Sequence, residues 1–306
     1  LHPGLRPLLD SWNAGDMGVV LGVGYPDPDR SHFRSLEIWD TGSASEEHLD
    51  DGWIARAMRD APRPAGFAID SVVVDENALP VSGAGFRNIV LRDVETFIYQ
   101  AERLQGPAVE RMANPALRHL LKVRAETHRA AFSLRERMRN APAPAIEMPD
   151  NPFGRQLDLA LRLLMSRTPL TAIKVGLGGF DTHARQRETH DRLLAILGEG
   201  LASFRTALRQ AGLWDDVLVL TYSEFGRRVA ENDSQGTDHG TAAPQFAMGG
   251  RVRGGLHGRQ PSLGDLSDGD LRHAVDFRDV FATVSRRWWG LDAPSGAAKA
   301  RLLDFV

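Results

Sequence analysis

The second half of the sequence alternates between helix-like and strand-like segments, and this alternation constrains the fold more than any other feature. A helix-like stretch at 154–167 precedes an apolar run at 170–176, and another helix-like stretch after His183 precedes an apolar run at 214–222. A final helix is expected at 276–291. Apolar residues at helical spacing form one stripe in the longest helix: Leu193, Leu197, Leu201, Phe204 and Leu208. Helices that alternate with strands predict an α/β fold with a mostly parallel sheet.

The first half adds further elements. A short amphipathic helix at 2–15 precedes a buried strand at 17–26, and a helix from Ser31 is expected to end at Gly42. Another strand is expected near 66–75. These elements and those of the second half predict one domain.

Residues 91–148 are helix-like and rich in arginine, and the sequence APAPA at 141–145 ends this section as a stiff connector. We expect a helical insertion at 91–148 within a single domain that spans 1–306. Glu126 and Glu136 interrupt the basic pattern, which argues against a nucleic-acid surface.

Composition excludes several classes of function. The formal net charge of −3 gives no reason to expect a nucleic acid or an anionic membrane as a partner, and no apolar run is long enough to span a bilayer. The sequence has no cysteine, which excludes disulfides, thiolate metal sites and a cysteine nucleophile. A cysteine-free chain is compatible with both export and the cytoplasm.

Polar residues follow the predicted strands at three places. Asp181 and His183 lie where the strand at 170–176 gives way to a helix, Glu224 follows the next strand, and His239 lies among glycines. One carboxylate and two imidazoles (Asp181, His183 and His239) form a suitable donor set for zinc or a similar divalent ion.

Each of these residues also has a purely structural interpretation. Asp181 is equally compatible with a cap for the following helix, because aspartate is favoured at that position. His239 is compatible with a turn, and Glu224 with an ion pair to Arg227 or Arg228.

Three segments resemble a bacterial family known as domain of unknown function 1501: GGFDTHARQ at 178–186, VLVLTYSEFGRR at 217–228 and SQGTDHGTA at 234–242. The likeness covers most of the chain, from LHPGL through RSHFRSLEIWDTG to DFRDVF. That family resembles the alkaline phosphatase-like superfamily of phosphatases, sulfatases and phosphoglycerate mutases. The resemblance implies a three-layer α/β/α sandwich, and it implies that the chain is N-terminally truncated relative to the family.

The resemblance implies one divalent ion on Asp181, His183 and His239. Zinc is the simplest choice, with manganese or iron as alternatives. Glu224 stands where a second metal would take a carboxylate, but Phe225 replaces the neighbouring histidine. Glu224 is therefore expected as a weak metal ligand or a general base.

The nucleophile of the superfamily lies at the start of a helix that runs into Thr-Gly, which corresponds here to Ser31 and His32. Ser31 is a candidate nucleophile or a helix cap. His32 is a candidate metal ligand, proton acceptor or phospho-enzyme residue, or a packing residue. Arg227 or Arg228 is expected to steady a substrate oxyanion.

The function implied is a metal-dependent hydrolase of phosphate or sulfate esters, acting on an anionic small molecule or a glycan ester. The alternative is a catalytically degenerate binding protein of the same fold, since a fold alone does not confer activity. Family members commonly carry a twin-arginine export leader, so the resemblance implies a periplasmic or secreted location. The oligomeric state is left open.

Overall fold

The larger of the two main sheets is built around one long apolar strand. The structure is a computed structural model that describes residues 1–62, 69–74, 77–103, 114–293 and 300–306. Five strands form this sheet in the order β10-β1-β6-β5, with β7 also paired to β1: β1 (Met17–Gly24), β5 (Val219–Leu220), β6 (Ala243–Met248), β7 (Gly255–Gly258) and β10 (Val275–Asp276). Seven of the eight residues of β1 are buried, as expected for a central strand covered on both faces.

The prediction of a mostly parallel sheet is wrong, because the larger sheet is mixed. β7 and β10 run parallel to β1, but β6 runs antiparallel to both β1 and β5. A parallel connection needs a long crossover, usually a helix. No helix lies between β5 and β6, so the chain returns antiparallel through an irregular segment. The sequence patterns predicted no strand at β6.

A second sheet of three strands is parallel throughout, in the order β3-β2-β4. Its strands are β2 (Ser71–Val73), β3 (Asn88–Val90) and β4 (Ala172–Lys174). β2 and β4 confirm the strands expected near 66–75 and 170–176, although 66–68 and 75 lie outside the described residues. A short hairpin, β8 (Leu266–Ser267) with β9 (Asp270–Leu271), lies apart from both sheets.

Most helices lie within segments that the sequence predicted to be helical, but α3 was not predicted and the α-helix expected at 276–291 ends at Thr283. They are α1 (Leu9–Ala14), α2 (His32–Thr41), α3 (Trp53–Ala57), α4 (Val94–Glu102), α5 (Pro115–Asn140), α6 (Pro152–Met165), α7 (Gln186–Gln210) and α8 (Phe277–Thr283). α4 and α5 account for much of the helical pattern at 91–148, of which 104–113 lie outside the described residues. None of the helices in the described ranges is long and apolar enough to cross a membrane.

The core packs α6 and α7 against β1 and β6. The stripe predicted on α7 is confirmed, since Leu193, Leu201, Phe204 and Leu208 are buried. A fully or nearly fully buried aromatic cluster, which includes Trp39, packs α2 and α8 against the other side of β1. These contacts fix α2 and α7, which carry or flank the candidate site.

A buried ion pair ties β1 to α7. Asp16, directly before β1, accepts hydrogen bonds from Arg205 Nε at 2.9 Å and Arg205 Nη2 at 2.6 Å. Trp214 Nε1 donates to the same carboxylate at 3.0 Å, and the Ser11 hydroxyl donates to its other oxygen. Both oxygens of Asp16 therefore accept hydrogen bonds from protein donors.

Candidate metal centre

The first turn of α2 presents His32. Ser31 is the extended N-cap residue, and its amide donates to the Asp29 carboxylate at 2.7 Å, while its hydroxyl makes no capping hydrogen bond. One turn later, Ser35 donates to the backbone carbonyl of Glu224 at 2.6 Å. This bond fixes the start of α2 against the segment that follows β5.

The loop between β4 and α7 carries Asp181 and His183. Thr182 between them is buried and lies 3.0 Å from His190 on α7, whereas Asp181 and His183 stay partly exposed. The N-cap of α7 is Arg185, and no side chain caps that helix. The helix-cap interpretation of Asp181 is therefore wrong.

The segment between β5 and β6 brings His239 beside Arg227 through an isolated antiparallel bridge. Two glycines permit this close contact. A Cβ at Gly240 would lie 2.5 Å from the backbone of Arg227, and one at Gly236 would lie 2.2 Å from the carbonyl carbon of His183. The glycines that flank His239 in sequence thus bring its loop against the loop of His183.

Four side chains converge in space. Asp181 Oδ2 lies 3.0 Å from His32 Nε2, and Asp181 Oδ1 lies 2.9 Å from His239 Nε2. His183 Nε2 lies 2.9 Å from Asp181 Oδ1 and 3.1 Å from His239 Nε2. The ligand atoms of His32, Asp181 and His239 all lie within 4.8 Å of one another.

The three histidines share one arrangement, in which the outer nitrogen Nδ1 faces an oxygen acceptor. The acceptors are Glu224 Oε1 at 2.7 Å from His32, Asp238 Oδ1 at 3.1 Å from His183, and the Arg30 carbonyl at 2.7 Å from His239. A carbonyl or an ionised carboxylate can only accept, so each Nδ1 carries a hydrogen. This is the usual outer support of a metal-bound imidazole.

Because each Nδ1 is the donor, Nε2 of each neutral ring carries a lone pair, and all three Nε2 atoms lie within 3.0 Å of an Asp181 oxygen. Imidazole lone pairs and a carboxylate at about 3 Å repel one another unless a cation lies among them, either protons or a metal ion. Nitrogen and oxygen donors of this kind suit zinc, iron and manganese. The donor set therefore fits a divalent ion.

The pKa of two members reflects the cluster. Burial works to raise the pKa of Asp181, but hydrogen bonds from Arg227, His32 and His239 hold it well below its ordinary value. Burial works to lower the pKa of His32, but its bonds to Glu224 and Asp181 raise it above its ordinary value. Asp181 is thus an anion, and protons compete with a metal ion for His32.

Glu224 and Phe225 lie around the histidines. Glu224 bonds to Nδ1 of His32, the nitrogen that faces away from Asp181, and it is absent from the group of converging ligand atoms found among the described residues. The Phe225 ring stacks on His239, with centroids 4.3 Å apart, and lies 4.9 Å from the His32 ring. Phe225 therefore packs directly against two of the donors.

Both candidate arginines are bound to protein groups. Arg227 Nη1 donates to Asp181 Oδ1 at 2.7 Å, and its Nε donates to the Thr237 hydroxyl at 3.2 Å. Arg228 Nε lies 3.3 Å from the Asp270 carboxylate. The ion pair considered between Glu224 and either arginine is not among the contacts of the described residues, because both arginines take other carboxylates.

Sequence reasoning missed three supporting groups. Asp238 stands beside His239 in sequence and bonds to His183, so its place in the GTDHG segment was an available signal. His190 lies on α7, eight residues after Thr182, and no sequence pattern indicated that it would contact the loop. The support from Arg30 is a backbone carbonyl, which every residue type offers.

A family model described as "protein of unknown function (DUF1501)" matches residues 91–298. The matched range contains Asp181, His183, Glu224, Arg227 and His239, whereas Ser31 and His32 precede it. No curated protein matches the chain.

Proposed function

The chain belongs to the DUF1501 family, and we propose that it is a metal-dependent hydrolase of phosphate or sulfate esters with a mononuclear divalent-metal site. His32, Asp181 and His239 would hold the ion, with His183 as a neighbouring fourth donor. One observation carries this proposal: three histidines place Nε2 within 3.0 Å of one carboxylate, each with Nδ1 bonded to an acceptor.

Zinc is the ion we propose first, with manganese or iron as alternatives, because the donors are imidazole nitrogens and carboxylate oxygens. When bound, the ion supplies a Lewis acid that polarises the ester group. The support from Glu224, Asp238 and the Arg30 carbonyl keeps the imidazoles in the tautomer that such an ion requires.

The remaining roles fall to groups around the cluster. Arg227 holds the Asp181 carboxylate in place. The uncapped amides at the start of α2 favour an anion, which suits the non-reacting oxygens of a phosphate or sulfate. Ser31, exposed at the N-cap with no capping bond, is the candidate nucleophile, and Glu224 is the candidate general base.

The proposal includes the three-layer α/β/α sandwich of the alkaline phosphatase-like superfamily and a periplasmic or secreted location after twin-arginine export. Both rest on the family likeness. The mixed α/β fold with helices packed around β1 supports the first of them.

The test is hydrolysis of p-nitrophenyl phosphate and p-nitrophenyl sulfate by chelator-treated protein, before and after addition of zinc, manganese or iron. We expect turnover only with metal, and none in Asp181→Ala. The matched control is Asp191→Asn, because Asp191 also pairs with a histidine, His2 at 2.8 Å, but lies outside the cluster. Turnover that survives chelation and is lost only in Ser31→Ala would replace this proposal with a metal-free serine esterase.

A second candidate function is binding of an anionic ligand without turnover. It is favoured by the contacts of Arg227 with Asp181 and Thr237. Arg227 was expected to steady a developing charge, but its guanidinium is bound to these protein groups. Titration calorimetry of the metal-loaded protein with inorganic phosphate and sulfate tests it. Metal-dependent binding without hydrolysis of either ester would favour this function over the hydrolase.

A further inference from the structure

We infer that Asp270 is a positioning residue of the metal centre, an inference that rests on the proposed function. Asp270 begins β9, outside both main sheets, and its side chain is 0% exposed. Its carboxylate bonds to Arg30 Nη2 and lies 3.3 Å from Arg228 Nε. One buried carboxylate therefore contacts two separate segments of the candidate site, and no contact of the described residues joins it to the four converging side chains.

The first arm runs through Arg30 to His239. The guanidinium of Arg30 is held by Asp270, and the backbone carbonyl of the same residue accepts from His239 Nδ1 at 2.7 Å. Arg30 also lies two residues before His32 in the turn that starts α2. That carbonyl orients the His239 ring and selects Nδ1 as the nitrogen that carries the hydrogen, so the bond from Asp270 to Arg30 acts on a ligand of the proposed site.

The second arm runs through Arg228. Its Nη2 donates to the Asp268 carbonyl at 2.6 Å, and its amide donates to the Asp238 carbonyl at 3.0 Å. Asp238 in turn supports His183 through its side chain. Arg227, which precedes Arg228 in sequence, bonds to Asp181. The second arm therefore reaches two more members of the cluster.

The two segments need such a brace because they have little regular structure of their own. The segment between β5 and β6 forms no strand and is held by the isolated bridge of Arg227 to His239 and a few backbone hydrogen bonds, and the turn before α2 has no strand partner among the described residues. The hairpin itself is tied beside His239, because the Thr241 hydroxyl donates to the Leu271 carbonyl. Arg30 donates to one oxygen of the buried carboxylate and the charge of Arg228 lies beside the other, so Asp270 can hold the two segments in one register.

The test compares Asp270→Asn with two matched variants. Asp16→Asn removes the charge of another buried aspartate that holds an arginine, in the core away from the site. Asp268→Asn alters an exposed carboxylate of the same hairpin, 3.5 Å from Arg30. The readouts are thermal stability, affinity for zinc by competition with a chelator, and the visible absorption of the cobalt-substituted protein.

We expect Asp270→Asn to weaken zinc binding by about 10- to 100-fold, the usual effect of losing an outer support, and to change the cobalt spectrum. Asp16→Asn should lower stability but keep the affinity and the spectrum, and Asp268→Asn should change neither. An unchanged affinity and spectrum in folded Asp270→Asn would overturn the inference and leave Asp270 as a structural residue.

If Asp270→Asn does not fold, Arg30→Met tests the first arm. In this variant Asp270 keeps its contact with Arg228, and the backbone carbonyl at position 30 is still present. We expect a weaker zinc affinity and a changed cobalt spectrum there too. Wild-type values in this variant would overturn the inference while the proposed function stands. Wild-type protein that takes neither zinc nor cobalt would overturn the proposed function and this role together.

Discussion

Two aspartates, each held by an arginine, differ in what surrounds them. Asp16 is gripped by Arg205 in the core, with a side chain 11% exposed. Asp181 is gripped by Arg227 at the candidate site, with a side chain 42% exposed. The arginine is common to both, so the remaining partners and the access of solvent decide what each carboxylate can do.

The remaining partners of Asp16 are donors, from Trp214 and Ser11, which complete its hydrogen bonds. Those of Asp181 are three imidazole Nε2 atoms at 2.9 to 3.0 Å, whose rings already face other acceptors through Nδ1. A buried ion pair with complete hydrogen bonds has no need of a ligand, whereas converging lone pairs require a cation. The comparison therefore separates a structural carboxylate from one suited to a metal ion.

The largest effect on stability is expected at the core aspartate. Asp16→Asn leaves Arg205 buried without its counter-charge, which should lower the free energy of unfolding by about 3–5 kcal/mol. Urea denaturation measures the change, and the zinc affinity of the folded variant should equal that of the wild type. A loss of zinc binding in the folded variant would break the comparison.

A smaller effect is expected from zinc itself. A ligand that binds only the folded state stabilises it by about 2.7 kcal/mol at 100 times its dissociation constant. Wild-type protein and Asp16→Asn should both gain this stability on addition of zinc, measured by thermal denaturation. Asp181→Ala should gain none, and a full zinc shift in that variant would show that the ion binds elsewhere.

The support of His32 should contribute less again. Glu224→Gln removes the charge behind His32 Nδ1 and should weaken zinc binding by about 10- to 100-fold in a chelator competition. Glu37→Gln is the matched control, because Glu37 bonds to His48 Nδ1 at 2.8 Å outside the site. Equal affinities in the two variants would contradict the supporting role of Glu224.

The smallest effect concerns the pH dependence of stability. Burial raises the pKa of Asp40, against the hydrogen bonds from Asn77 and Tyr222. Its contribution to stability is therefore complete below the unfolded-state pKa of about 3.9 and is lost as pH rises through the higher folded-state pKa. Asp181, with a lowered pKa, should contribute in the opposite sense, with stability that is lost as pH falls.

Asp40→Asn tests the sign. In the wild type, stability should fall as pH rises through the pKa of Asp40. Urea denaturation from acidic to neutral pH should show no such fall in the variant. The metal-free Asp181→Asn variant should instead lack a loss on acidification. Parallel profiles for the two variants would mean that their environments do not differ in the way the structure indicates.

The parts of this molecule that sequence patterns predicted are local ones. The stripe on α7, the glycine that ends α2 at φ 69° and the apolar run of β1 each follow from residues close in sequence. The antiparallel β6 was missed, because strand direction depends on the length and helicity of the connection rather than on the strand itself.

The candidate site divides in the same way. Residue type and local context pointed to Asp181, His183 and His239, and the structure brings them together with His32. The supports from Asp238, Asp270 and the Arg30 carbonyl join segments far apart in sequence. A backbone carbonyl and a buried aspartate leave no sequence pattern by which such a role could be predicted.

The most direct test is the metal content of protein purified without chelators or a metal-affinity column, measured by plasma mass spectrometry beside Asp181→Ala and Asp16→Asn. The account predicts about one equivalent of zinc, manganese or iron in wild type and in Asp16→Asn, and none in Asp181→Ala. Wild-type protein that contains no metal and takes up none on incubation would contradict it.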